Sequence, residues 1–323
     1  MKPEDKSIRI GAAAVAGALI LRLFSGSLPE KLTGFFSDPD VVAAIMLLET
    51  GRVLVPPQLT QEPVSTTEAT AAPLEIPVFS AEDVPLIAIN NASSLSTDPE
   101  SWLTSPLTLS LTGDDPTVLI LHSHTSECYA DTPEGADAYR TQDESKNMLA
   151  VGQALTQQLQ AAGISVLHDR TVHDYPSYNG SYTLSRATVR KYLEAYPSIQ
   201  LVLDLHRDAM TDTSGNQIAS TVETPDGAAA QLMLVVGTNS GRLTHPGWQQ
   251  NMALAAKLHA QLERQCPGIC RPISIRSQRF NHDLSPGAML IEVGAAGNTL
   301  AEALGAVKVL SAAIIHLAHG ANV

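Results

Sequence analysis

Thr117-Val-Leu-Ile-Leu-His-Ser-His-Thr-Ser-Glu127 begins as an unbroken apolar run and ends in two histidines and a carboxylate. A short apolar run without polar alternation is the pattern of a strand buried on both faces, as in a parallel sheet. Two other stretches have the same form. Leu201-Val-Leu-Asp-Leu205 runs into His206-Arg-Asp208, and Met289-Leu-Ile291 is followed by Glu292-Val-Gly294. Between and around them, further strands are expected at 164–167 and 231–236. Helices are expected at 143–162, 183–196 (stopped by Pro197), 247–264 and 299–318. Strands alternating with helices predict an α/β fold, with a mostly parallel sheet flanked by helices on both faces. The composition agrees: 44% of residues are hydrophobic but only 4% aromatic, so the core is built from Ala, Val, Ile and Leu.

In an open parallel sheet the carboxyl ends of the strands share one edge, where ligands bind. That edge would gather His122, His124, Glu127, His206 and Glu292. Two imidazoles and a carboxylate with one position left open form the donor set of a catalytic zinc ion, which assigns His124, Glu127 and His206 as ligands. Glu292, inside an apolar strand, is then the expected general base, since a buried carboxylate without a task is costly. His122 and Asp204 are expected to orient the ligand histidines. Asn298 reads equally as a helix cap before Thr299 and as a ligand contact. A serine esterase using Ser123 or Ser126 would need a Gly-x-Ser-x-Gly elbow, which the chain lacks.

The formal net charge of −13 and the absence of a long Lys/Arg run exclude the basic surface that nucleic acid requires. Cys128, Cys266 and Cys270 show no Cys-x-x-Cys spacing, so a thiolate metal site is excluded, and the Cys266–Cys270 segment reads as two thiols or as a small closed loop. At the N-terminus, Lys2, Lys6 and Arg9 precede the apolar run 10–21, and Arg22 can snorkel to let a span extend through Phe24. The domains expected are a cytoplasmic start and signal anchor at 1–27 and a juxtamembrane segment with a Pro/Thr-rich tether at 28–84. A globular domain follows at 85–323, opening on a small β-rich lead-in at 85–115. A cleaved leader and an ordinary helix are the alternatives that the short run leaves open. The tether composition cannot bury enough apolar surface to offset its ordering entropy.

Four pieces carry a resemblance to a known family: Leu119-Ile-Leu-His-Ser-His-Thr-Ser-Glu-Cys-Tyr129, Tyr178-Asn-Gly-Ser-Tyr-Thr-Leu-Ser-Arg186, Leu203-Asp-Leu-His-Arg-Asp208 and Asn281-His-Asp-Leu-Ser-Pro-Gly-Ala-Met-Leu-Ile-Glu-Val-Gly294. Over about 84–318 the chain resembles the stage II sporulation protein P family of cell-wall hydrolases, related to zinc-dependent N-acetylmuramoyl-L-alanine amidases. The resemblance implies Zn2+ on His124 and His206, and Glu292 as the catalytic glutamate of a Val-Glu-x-Gly context in which Ile291 stands for Val. Related amidases often place the acidic ligand further along, which makes Glu134 and Glu144 alternatives to Glu127. His282 stands where Gln is expected, and Cys128 where Ser or Ala is common. Arg207 and Arg186 are candidates for binding stem-peptide carboxylates, and either reads equally as a structural ion-pair partner. The resemblance further implies peptidoglycan as substrate, with peptide cross-links a further target, and engulfment in an endospore-forming bacterium as the setting. It also implies a single-pass membrane protein with an extracytoplasmic catalytic domain. The implied partners are a lytic transglycosylase (stage II sporulation protein D-like) and a membrane scaffold (stage II sporulation protein M-like). A non-catalytic peptidoglycan-binding scaffold is the alternative function.

Overall fold

The computed structural model describes residues 79–106, 109–132, 139–241 and 243–319. The chain divides into Met1–Ala69 and Thr70–Val323, and every described residue belongs to the second unit. The expected anchor, and the tether up to residue 78, lie outside the described residues.

In chain order the elements are β1 (Ile89–Asn91), α1 (Pro99–Thr104), β2 (Val118–Leu121), α2 (Met148–Ala161), β3 (Val166–His168), α3 (Ser181–Ala195) and β4 (Leu201–Asp208). There follow β5 (Thr221–Thr224), β6 (Gly227–Ala230), β7 (Leu232–Gly237), α4 (Trp248–Gln265), β8 (Ile273–Arg276), β9 (Ala288–Ala295) and α5 (Leu300–His319). Seven strands form one sheet in the order β1-β8-β7-β9-β4-β2-β3, and β5-β6 is a separate hairpin. All neighbours in the large sheet are parallel except β7 and β9. The sheet therefore has two blocks of opposite direction, and the carboxyl ends of β2, β4 and β9 meet at one edge, as the sequence predicts.

Local chemistry sets the helix ends. The Asn147 side chain accepts from Leu149 N at 3.0 Å and starts α2. Gly163 at φ +81° and the Ile164 N to Leu159 O bond at 3.1 Å close it in a Schellman arrangement. Thr299 and Glu302 cap each other at the start of α5 through bonds of 2.9 and 3.2 Å. Asn298 thus is not the cap. It ties the β9–α5 turn together, accepting from Ala295 N at 2.9 Å and donating to Ser220 O at 3.2 Å.

Alternation along the strands sorts the core. Leu201, Leu203 and Leu205 of β4 and Met289, Ile291 and Val293 of β9 enter the large cluster beneath α2, α4 and α5. Each such buried side chain contributes about 1.5–3 kcal/mol of transfer free energy. Val202 and Ala288 face the other way, packing with Leu119 and Leu121 against Val189 of α3. Three helices thus cover one face, while α3 covers only part of the other. α5 is apolar and long enough to cross a membrane. Here it is a core helix, burying Ala306, Val307, Leu310, Ile314 and Leu317.

The lead-in differs from expectation. Among its described residues, the region 85–115 holds one three-residue strand, which pairs with β8, and the helix α1, so these are not β-rich. Asp98-Pro99 is the reason: the Asp98 carboxylate accepts from Ser101 N at 3.1 Å, and proline at the first helical position is preset for helix. Cys128, Cys266 and Cys270 form no disulfide among the described residues.

The β4–β9 contact depends on Gly287. A Cβ there would lie 1.8 Å from the carbonyl oxygen of Gln200, which is backbone and cannot swing aside. Gly287→Ala is expected to destabilise the domain by about 1–3 kcal/mol, the usual range for overpacking. Urea denaturation followed by circular dichroism measures it, and an unshifted midpoint would contradict the packing described.

Candidate metal centre

β2 ends at Leu121, and the chain turns at once through 122–127, so His124 and Glu127 leave the sheet edge together. The turn is held from outside. Ser126 donates through its amide and its hydroxyl to Asp174, at 3.2 and 2.6 Å, and His173 Nδ1 donates to the His122 carbonyl at 2.8 Å. Thr141 N donates to Ser126 O and Cys128 N to Tyr139 O, which joins the turn to the segment 139–141.

On β4, His206 projects from the strand end beside this turn. Its Nδ1 is 3.4 Å from Glu127 Oε2, and His124 Nδ1 is 3.5 Å from Glu127 Oε1. All three side chains are buried, and their donor atoms lie within 4.8 Å of one another. Donors about 2.0–2.2 Å from one tetrahedral ion are about 3.4 Å apart, so the two measured spacings fit a zinc-sized cation. The charge fits as well. Glu127 and Asp204, both buried, flank His206, whose Nε2 is 2.9 Å from Asp204 Oδ1. A carboxylate behind a ligand imidazole fixes its ring and raises its basicity.

The titration shifts describe the same anionic pocket. Burial opposes the charge on Glu127, but His124, His206 and Arg207 hold its carboxyl well below the usual range. Burial also works against Asp204, yet His206 and the Ser123 hydroxyl and amide bring it down to about 2. For His206, burial would lower the pKa, and Asp204 and Glu127 reverse this and raise it well above normal. Two ionised carboxylates therefore demand positive charge where the three donors converge.

Glu292 stands in register with His206 on the neighbouring strand and opposite Met233 of β7. Its Oε2 is enclosed without a hydrogen-bond partner. Burial raises its pKa to about 8; Glu127 and Asp208 add to the rise, while His206 and Arg271 oppose it. Such a group, able to hold or release a proton near neutrality, has the property general acid–base work needs.

The other expected residues fall elsewhere. His122 points to the opposite face of the sheet. Its Nδ1 donates to Leu205 O at 3.0 Å, and its Nε2 lies 2.9 Å from His168 Nε2 beneath Gly152, so it orients no ligand side chain directly. Asp204 does touch His206. Arg207 is 8% exposed; its Nε and Nη2 donate to the carbonyls of Cys128 and Tyr139 at 3.0 and 2.8 Å, and its Nη1 lies 3.6 Å from Glu127. Arg186 makes a two-pronged pair with Asp283 at 2.8 and 2.7 Å. Internal acceptors thus engage both arginines, the structural side of the sequence reading, while Arg207 also lines the cavity over the triad. Glu144 is exposed and pairs with Arg170, away from the triad. Glu134 lies outside the described residues. His282 is buried, with Nδ1 accepting from Gly237 N at 3.1 Å.

A cavity of about 310 Å³ opens over the triad, with Glu292, Leu290, Met233 and Val235 on its sheet face and Tyr178, Tyr182 and Phe280 beside them. Tyr178 stacks on His124 with centroids 4.2 Å apart, its hydroxyl is 3.3 Å from His124 Nδ1, and the Arg140 guanidinium sits 4.1 Å over its ring. The sequence reading assigned these aromatics no task. A signal was present: Tyr178 and Tyr182 are four residues apart across an Asn-Gly turn, in a chain with few aromatic residues.

Fold and site together define an α/β protein with a buried His/Glu/His donor set and, at a parallel-sheet edge, a glutamate with one oxygen unpartnered among the described residues. The chain belongs to the stage II sporulation protein P family, whose sequence profile matches residues 60–315. It is 28% identical over 205 residues to Stage II sporulation protein P of Bacillus subtilis (strain 168), a match covering 59% of this chain and 48% of that protein. The chain thus spans about half the length of the curated relative it matches. Among solved structures it is similar to the N-acetylmuramoyl-L-alanine amidase AmiC2 of Nostoc punctiforme, at 13% identity and a TM-score of 0.38, covering 64% of this chain and 97% of that one. It is also similar to the N-acetylmuramoyl-L-alanine amidase from Clostridium difficile 630, at 18% identity and a TM-score of 0.37, covering 63% and 95%.

Because Arg207 clamps the loop that carries Glu127, Arg207→Lys is expected to act on the fold and the metal. Losing the forked donor set lowers the melting temperature and the metal retained after dialysis. Thermal denaturation and elemental analysis measure both. A variant that keeps both and only raises KM would return Arg207 to substrate binding.

Proposed function

We propose that this chain is a zinc-dependent peptidoglycan hydrolase that cuts the amide between muramic acid and L-Ala. The observation that carries the reading is the convergence of His124, Glu127 and His206 beside Glu292, at the floor of one groove. Membership of a sporulation family supports wall remodelling during engulfment as the setting. A non-catalytic scaffold would have no use for an enclosed carboxylate whose pKa is raised to about 8.

His124, Glu127 and His206 would hold a zinc ion, which when bound would supply a Lewis acid that polarises a carbonyl and acidifies water. Asp204 keeps the His206 ring turned toward Glu127. Glu292 accepts a proton from the attacking water and returns it to the L-Ala nitrogen as the C–N bond breaks. The water oxygen ends in the lactyl carboxylate and the peptide leaves with a free amine. The wall of Tyr178, Tyr182 and Phe280 limits water around the reacting bond. Positive charge at the triad works against the rise in the Glu292 pKa and favours its basic form.

The remaining parts of the proposal are a signal anchor at 1–27, a tether to 84, and a single-pass protein with its catalytic domain outside the cytoplasm. A transglycosylase and a membrane scaffold would act beside it on the septal wall. Fractionation tests the topology, since the chain should remain with membranes and resist extraction by high salt.

His124→Ala and His206→Ala are expected to abolish release of peptide from purified peptidoglycan and to cut zinc content sharply. Full zinc occupancy in Glu127→Ala would move the acidic ligand to another carboxylate. Glu292→Gln is expected to keep fold and zinc while turnover falls by about 100- to 10,000-fold. Mass spectrometry of the products identifies the bond cut, and activity that survives a strong chelator would remove the zinc mechanism.

A further inference from the structure

The groove lies on the part of the sheet that α3 leaves uncovered. Alternation along the strands puts Leu290 and Glu292 of β9, Met233 and Val235 of β7, and Ser274 and Arg276 of β8 on one face, and all six line the same cavity. Arg276 is exposed at the end of β8, in register with Gly237. On the facing wall Arg140 rests over the ring of Tyr178. Among the described residues neither guanidinium has a carboxylate within ion-pair distance. The third arginine lining the cavity, Arg207, is held by Glu127 and backbone carbonyls, and Arg186 by Asp283.

Two guanidinium groups that line one cavity and have no carboxylate partner among the described residues, in a chain of net charge −13, suit a local anionic ligand. In a muramoyl peptide the lactyl carboxyl is consumed in the scissile amide, so the carboxylates available are those of the peptide. We propose that Arg276, assisted by Arg140, binds a free carboxylate of the stem peptide and makes the site prefer anionic over amidated stems; this rests on the amidase reading above. The pairing is chemically suited, since a guanidinium grips a carboxylate through two parallel hydrogen bonds. The position is suited as well. Arg276 is two strands from Glu292 and four residues further along, a separation of roughly 16 Å between backbones. Extended peptide spans that in four to five residues, so the carboxylate read lies within the first four to five residues of the stem.

The test uses two N-acetylmuramoyl tetrapeptides that differ only in having their peptide carboxylates free or amidated. Calorimetry measures their binding to the zinc-loaded full chain carrying Glu292→Gln, and hydrolysis by the unsubstituted chain is followed separately. The free-carboxylate peptide is expected to bind about tenfold tighter or more, the range of a charged hydrogen bond. Adding Arg276→Gln should bring that ratio close to one, Arg276→Lys should restore part of it, and Arg140→Gln should reduce it by a smaller factor. Equal affinity for the two peptides, or a ratio that survives Arg276→Gln, overturns the proposal. If neither peptide is hydrolysed while the binding ratio appears and falls with Arg276→Gln, the arginine assignment stands and the amidase reading falls.

Discussion

A carboxylate with only 5% of its surface exposed must be compensated or neutralised, and the site is arranged around compensating Glu127. Its oxygens face Nδ1 of His124, Nδ1 of His206 and Nη1 of Arg207, and Oε2 also accepts from the Arg207 amide. These contacts lock the turn after β2 to the end of β4, and the Arg207 guanidinium extends the clamp to the carbonyls of Cys128 and Tyr139. Without that compensation the turn would have no reason to stay over the sheet edge, and His124 would lose its place. A divalent ion at the donors would complete the compensation with a full positive charge. The loop geometry and the anionic character of the donor cluster therefore follow from the same buried charge.

The second determinant is the reversal of direction between β9 and β7. In the block β9-β4-β2-β3 the carboxyl ends bring together His124, His206 and Glu292. The block β1-β8-β7 runs the other way and contributes a lined face in place of loops. With α3 packed on β2 and β4, the exposed face of β9, β7 and β8 becomes the floor of a groove leading away from the triad. The edge that carries the triad and the floor of the cavity are thus produced by opposite halves of one sheet.

The arginines near the triad divide into those held by internal acceptors and those without a carboxylate partner among the described residues. Arg207 and Arg186 have the planar donor set that suits substrate carboxylates, and the sequence context of both is close to chemistry. Internal acceptors take both, because a buried guanidinium left without partners would be costly. The cavity arginines with no carboxylate partner among the described residues, Arg276 and Arg140, sit in segments with no motif: one at the end of a strand that the sequence reading passed over, the other at the isolated bridge to Glu127.

The α/β class, the parallel edge and the four residues that meet there were legible in the sequence, because each lies at the end of an unalternated apolar run and strand direction alone brings such ends together. β2, β4, β7 and β9, with α2 to α5, fall within a few residues of expectation for the same reason, since burial period and capping act locally. Contacts between segments distant in the chain left no local signature. Tertiary structure alone turned His122 away from Asp204 to the far face, through the two-residue period of the strand and the His168 contact. It also paired β1 with β8, reversed β7 against β9, engaged Arg207 and Arg186 internally, and stacked Tyr178 on His124. A sequence shows which side chains need a partner, but which partner each receives depends on distances that exist only once the sheet has closed.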